Sequence, residues 1–148
     1  LASLLVSNCI PDDPNENDEQ DDVMIGCGVD LVFIPRMEQT CQRFGERFLS
    51  RVFTAEERRY CEHQRLPYSH FSGRFAAKEA LIKAMGGFKI TRWTEIEILR
   101  GTEGAPKMIL HGQTAAVLSD RGVEKILLSI SHDRDYCVAV VCLGGSGL

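Results

Sequence analysis

Hydrophobic and polar positions along the chain change period several times, and each change predicts an element. Residues 23–33 (VMIGCGVDLVF) alternate with period two and read as a strand. Cys27, Val29, Leu31 and Phe33 share one face, while Gly26, Gly28 and Asp30 share the other. Two glycines on the face that projects a single carboxylate leave room for a ligand against the backbone; the plainer alternative is a bulged edge strand whose Asp30 bonds a neighbouring N–H. Pro35 suits the first turn of a helix. Along it Met37, Cys41, Phe44, Phe48 and Val52 form an apolar stripe and Arg36, Arg43, Arg47 and Arg51 a basic one, provided Gly45 does not break the helix in two. Unbroken, the basic ridge suits an acidic helix of a partner protein, although a solvated face is the commoner meaning of such spacing. Thr54 then reads as an N-cap, with Glu56 and Glu57 in the first turn of a short helix to about Gln64, and residues 66–68 read as a loop.

The next helix, residues 71–85, is apolar nearly all round, with Ala76, Ala77, Ala80 and Ala84 on a side able to lie close to a sheet. Gly86 and Gly87 end it as a C-cap. It nonetheless carries Arg74, Lys78, Glu79 and Lys83. Unpaired charges in a dry setting cost several kcal/mol, so these need partners. Spacing alone pairs Glu79 with Lys83 one turn on; one acid amid three bases also suits a divalent cation beside a phosphorylated ligand. Residues 94–99 alternate as a strand, 101–106 turn, and 107–110 pair back as a hairpin. A short helix over 113–121 closes at Gly122. In the strand 124–132, Ile126, Leu128, Ile130 and His132 share a face, a setting in which most histidines are satisfied core or edge residues. The last strand, 136–143, is apolar on both faces and must be covered on both. In so small a domain a second subunit is the expected cover.

The 148 residues, 44% of them apolar, suit one domain. Residues 1–22 are expected to be a disordered acidic extension, 23–143 the folded domain and 144–148 a frayed end. Seven acids and no Lys or Arg fall in residues 1–23, so seventeen bases face fourteen acids over residues 24–148. Between residues 36 and 92 twelve bases face six acids, which favours an anionic partner. No apolar run approaches the roughly 20 residues of a membrane span, and a soluble protein is expected. The six cysteines form no CxxC pair and read as reduced thiols of a cytosol-like compartment. Zinc-type spacing, a Walker loop and a GxSxG elbow are missing, and aromatic residues at 7% argue against single-strand nucleic-acid binding.

Singly these features are weak, but their order is specific: GCGVD at 26–30 on a strand, RVFTAE at 51–56 before a helix, GRFAAKEA at 73–80 within one, then SISH at 129–132. The arrangement resembles the short, AcpS-type class of 4′-phosphopantetheinyl transferases, the holo-acyl-carrier-protein synthases, over about residues 25–141. The resemblance implies an α+β fold with a small antiparallel sheet packed against helices, one of them long and central. It also implies transfer of 4′-phosphopantetheine from coenzyme A to a serine of an apo acyl carrier protein, releasing 3′,5′-ADP. Asp30 and Glu79 would then bind Mg²⁺ at the pyrophosphate. Arg74, Lys83, Gly86 and His132 would surround the nucleotide and its 3′-phosphate, with Lys78 assisting, Pro106 near the adenine and Ser131 in the SxSH segment. Glu79 is the expected base, with His132 a possible relay. Arg36, Met37 and Arg43 would meet the carrier protein's acidic helix. A cytoplasmic homotrimer with sites between subunits is expected, with no nucleic acid and no membrane as partner.

The chain departs from the family pattern at Gly86-Gly87-Phe88, where Gly-Thr-Gly is frequent, at Asp133, where many members have Thr, and in its acidic extension. Two other classes fit the same residues: a noncatalytic module binding coenzyme A or a carrier protein, and a metal-dependent nucleotide hydrolase. Loss of Asp30 or Glu79 would leave a binder intact, and a hydrolase would need no carrier protein.

Overall fold

Glycine spacing in one strand and alanine spacing in one helix set the architecture of the computed structural model, which describes residues 4–5, 22–90 and 92–146. The order is β1 (Leu4–Leu5), β2 (Asp22–Phe33), α1 (Ile34–Val52), α2 (Ala55–Glu62), α3 (Pro67–Ala84), β3 (Ile96–Arg100), β4 (Pro106–Leu110), α4 (Gly112–Asp120), β5 (Lys125–Asp133) and β6 (Tyr136–Ser146). A 3-10 turn at Trp93–Glu95 leads into β3. The strands form two antiparallel sheets of three, β1-β4-β3 and β2-β6-β5. No helix among the described residues is long and apolar enough to cross a membrane.

Helix α3 lies across β2 and β6. A Cβ on Gly28 would sit 2.0 Å from the Ala80 carbonyl oxygen, and one on Gly26 would sit 2.1 Å from that of Ala84. The bare face of β2 is therefore filled by the helix backbone. This corrects the expectation that its glycines make room for a ligand, since the space they leave is what lets α3 approach. Ala76, Ala77 and Ala80 are fully buried in the contact, with Ala139, Val141 and Leu143 of β6 beneath. Because α3 is covered on most sides, its apolar residues need no single stripe.

Several boundaries differ from those expected. Residues 66–68 are not a loop, because Pro67 opens α3, its fixed φ and missing N–H costing nothing in the first turn. Leu4 and Leu5 pair with Leu110 and Ile109, so the N-terminal extension is not wholly unstructured; the expectation for residues 6–21 lies outside the described residues. Strand β6 continues past residue 143, pairing Gly144 with Met24 and Gly145 with Val23. Gly45 takes φ 50° and ψ −134° and kinks α1, as its position suggested. The kink spoils the apolar stripe: Met37, Cys41 and Val52 are buried, whereas Phe44 is 51% exposed.

The open face of the β2-β6-β5 sheet carries Val29, Leu31, Phe33, Leu127 and Tyr136, all exposed. Cys27 and Cys142 oppose each other there across β2 and β6, with their sulfurs 3.6 Å apart.

Candidate active site

Asp30 is carried by β2 two residues beyond Gly28, and Glu79 by α3 immediately before Ala80. The close approach of Gly28 to Ala80 therefore brings the two carboxylates near enough for the charge of one to act on the other. Burial, and then the charge of Asp30, push the Glu79 carboxyl above the usual carboxylate range, with Lys83 acting in the opposite direction. The Lys83 ammonium donates to Asp30 Oδ1 at 2.8 Å and is otherwise about half exposed. Spacing alone would have paired Lys83 with Glu79 on its own helix; the sheet supplies a better acceptor. Among the described residues no cluster of three or more His, Cys, Asp or Glu could hold a metal by itself. Two carboxylates projecting into solvent-accessible space are the donor set suited to Mg²⁺, which binds one or two carboxylates together with substrate phosphates and keeps water in its other positions.

A second centre lies toward the start of α3. A cavity of about 230 Å³ is lined by Tyr60, His70, Arg74, Arg100, Pro106 and His132, with Ile98, Leu99 and Ile130 among its apolar walls. That is below the roughly 300–1,000 Å³ of a pocket enclosing a whole drug-sized ligand, so it suits one part of a longer molecule. No acidic side chain lines it. Arg74 is 6% exposed, its Nε has no hydrogen-bond partner, and no described carboxylate pairs with it. Its guanidinium lies 4.2 Å from the centre of the Tyr60 ring and makes only a long bond, 3.5 Å, to the His70 carbonyl. A buried cation without a counter-charge, facing a cavity, is an anion-binding arrangement.

The expected nucleotide residues thus divide between two places along α3. Arg74, Pro106 and His132 meet at the cavity. Lys83 stands with Asp30, nine residues beyond Arg74 and so about 13 Å along the helix axis. Gly86 lies past the helix end at φ 74°, and its N–H is already used on Lys83 O, which leaves a ligand only its bare Cα and carbonyl. His132 lines the cavity with His70 as its ring neighbour, 6.2 Å away.

Three expectations are corrected. Lys78 is fully buried and donates to Glu57 Oε2 (2.7 Å), Val52 O (2.6 Å) and Trp93 O (3.3 Å), so no ammonium proton is left for a phosphate. Met37 is 6% exposed and packs in the core, out of reach of a partner protein. Ser131 alternates with His132 along β5 and falls on the open sheet face with Leu127 and Ser129, away from the cavity. Sequence reasoning missed Tyr60, His70 and Arg100 at the cavity. With α3 opening at Pro67, His70 lies one helical turn before Arg74, and that spacing is its signal in the sequence. Glu57 was visible as the fourth position of a Thr54-to-Glu57 capping box, which the structure contains.

On the surface of α1, Arg36, Arg43, Arg47 and Arg51 are all exposed, and the Arg43 guanidinium lies 5.1 Å over the ring of Phe44. The kink at Gly45 divides the expected ridge, so Arg36 and Arg43 lie with the exposed Phe44 on the first segment of α1 and Arg47 and Arg51 on the second; the first segment joins two cations to an exposed aromatic, a combination suited to an acidic, partly apolar partner.

Residues 26–141 match the sequence model of the 4′-phosphopantetheinyl transferase superfamily. A holo-[acyl-carrier-protein] synthase of Koribacter versatilis is 43% identical over 124 residues, spanning 82% of this chain and 98% of the relative. Among solved structures, the holo-[acyl-carrier-protein] synthase of Neisseria meningitidis superposes with a TM-score of 0.76 at 28% identity, covering 82% of this chain and 98% of its own. The Helicobacter pylori synthase, solved in complex with coenzyme A, superposes with a TM-score of 0.69 at 29% identity over 79% and 98% of the two chains. With its fold and signature segments so matched, the chain belongs to the 4′-phosphopantetheinyl transferase superfamily, on the AcpS side of it.

Proposed function

We propose that the chain transfers 4′-phosphopantetheine from coenzyme A to the serine hydroxyl of an apo acyl carrier protein, leaving adenosine 3′,5′-bisphosphate. The observation that carries the reading is the spacing of two unlike centres along one helix, a carboxylate pair at Asp30 and Glu79 and an unpaired buried guanidinium at Arg74. Coenzyme A is a molecule with a pyrophosphate at one place and a phosphorylated adenosine at another. The cavity at Arg74 takes the nucleotide end, its apolar walls facing the base and its cations the phosphomonoester. Asp30 and Glu79 are the residues that would hold Mg²⁺, which when bound neutralises charge on the pyrophosphate. Lys83 is then free to exchange Asp30 for a phosphate oxygen. Glu79, with its carboxyl raised toward neutrality by burial and by Asp30, is suited to accept the serine proton.

Arg36, Arg43 and Phe44 present the docking ridge for the carrier protein. Assembly as a trimer would cover the open sheet face and complete a cavity too small for the whole substrate. Five free thiols among the described residues fit a cytoplasmic setting. The test is incubation with coenzyme A, Mg²⁺ and an apo carrier protein, followed by the carrier's intact mass. A gain of one phosphopantetheine group is expected; unchanged mass across several carriers contradicts the reading.

A further inference from the structure

His70 lines the cationic cavity and has no role in the reading above. Its ring packs edge-on against Tyr60 of α2 at 5.5 Å and against His132 of β5 at 6.2 Å, and Arg74 lies one turn further along its own helix. Arg100 of β3 faces the same space. None of these neighbours is an acid, and among the described residues neither ring nitrogen of His70 makes a hydrogen bond. Burial first, then the charges of Arg74 and His132, hold its pKa below the ordinary histidine value. Such surroundings disfavour the protonated form of His70 and leave a neutral imidazole whose N–H has no acceptor until an anion enters the cavity.

The signature that places the chain in its family includes Arg74 and His132 but not His70. We infer that His70 is a specificity-determining residue: its imidazole, set between Arg74 and His132, donates to a phosphomonoester on the ribose and makes the site prefer a 3′-phosphorylated adenosine ligand. The phosphate completes a cluster of three donors arriving from two elements, and Tyr60 holds Arg74 and His70 in place from below. A charge-assisted hydrogen bond of this kind corresponds to about a tenfold preference. The inference rests on the coenzyme A reading of the cavity.

The test measures binding of coenzyme A and of 3′-dephospho-coenzyme A to the full chain by calorimetry. The parent is expected to bind coenzyme A about tenfold or more tightly than the dephospho form. His70→Phe, which keeps an aromatic ring against Tyr60, is expected to lose most of that ratio while holding its affinity for the dephospho form, and His70→Gln, which keeps a donor, to recover part of it. A His70→Phe protein with an unchanged ratio, or with both affinities lowered equally, overturns the role of His70 alone. A parent that binds neither ligand overturns the coenzyme A reading together with this inference.

Discussion

Two lysines five residues apart on α3 show how position decides what a charge does. Lys78 is sealed in the core, and its partner Glu57 is itself fully buried, accepting from Thr54 N (2.8 Å) and Ile98 N (2.9 Å) as well. The pair ties the end of α1, the start of α2 and strand β3 to the middle of α3. Burial draws the Lys78 pKa down while Glu57 supports it. Lys78→Met leaves Glu57 charged, buried and short of its cation, so chemical denaturation is expected to show a loss of about 3–5 kcal/mol. Below the unfolding transition its turnover should stay near that of the parent, since Lys78 touches no ligand; a selective loss of turnover at full stability would restore Lys78 to the phosphate site. Glu79 presents the reverse case. Its raised carboxyl pKa means that the ionised form is held at a cost, so Glu79→Gln is expected to raise the melting temperature at neutral pH. A melting temperature that falls instead would mean that the Glu79 charge stabilises the fold.

At the scale of elements, the site exists because β2 and α3 touch backbone to backbone. Gly28→Ala places a methyl 2.0 Å from the Ala80 carbonyl, a contact that only displacement of the helix relieves. It is expected to cost about 3 kcal/mol or more in denaturant unfolding and to lower turnover further than stability alone explains, by moving Glu79 relative to Asp30. Near-parental stability and turnover would show that the contact does not set the site. Much of this level was legible in the sequence. Period-two alternation separated the glycine face of β2 from its apolar face, and the Gly86-Gly87 pair marked the end of α3, where the Gly87 N–H closes onto Ile82 O at 2.8 Å. The order of the signature segments placed Asp30, Glu79, Arg74 and His132. What was not legible required tertiary knowledge. Nothing local shows that Lys78 points inward and Lys83 outward, since both lie on a helix apolar on nearly every side. The exposure of Phe44 depends on the backbone angles of Gly45, and the empty face of β2 is explained only by the helix that fills it.

For the whole molecule, the outstanding feature is the sheet face left open while the opposite face carries α3. Leu31 is 60% exposed and Val29 52%, with Tyr136 and Leu127 beside them. An exposed apolar patch of this kind is the sort of surface that a second subunit would cover. The parent is expected to sediment as a trimer, and Leu31→Glu as a folded monomer with transfer activity largely lost; a parent that sediments as a monomer with full activity would remove assembly from the account. The two centres along α3 and the basic ridge of α1 would then belong to a surface shared between subunits, one part gripping the nucleotide, another the pyrophosphate and the third the protein acceptor. The transfer itself is proposed to occur beside Asp30 and Glu79. The most direct measurement is the intact mass of an apo carrier protein, followed over time with coenzyme A and Mg²⁺, for the parent, Asp30→Asn and Glu79→Gln. The parent is expected to add one phosphopantetheine group promptly and either substitution to lower the rate at least a hundredfold; parental rates from Glu79→Gln would show that the reaction does not depend on its carboxylate.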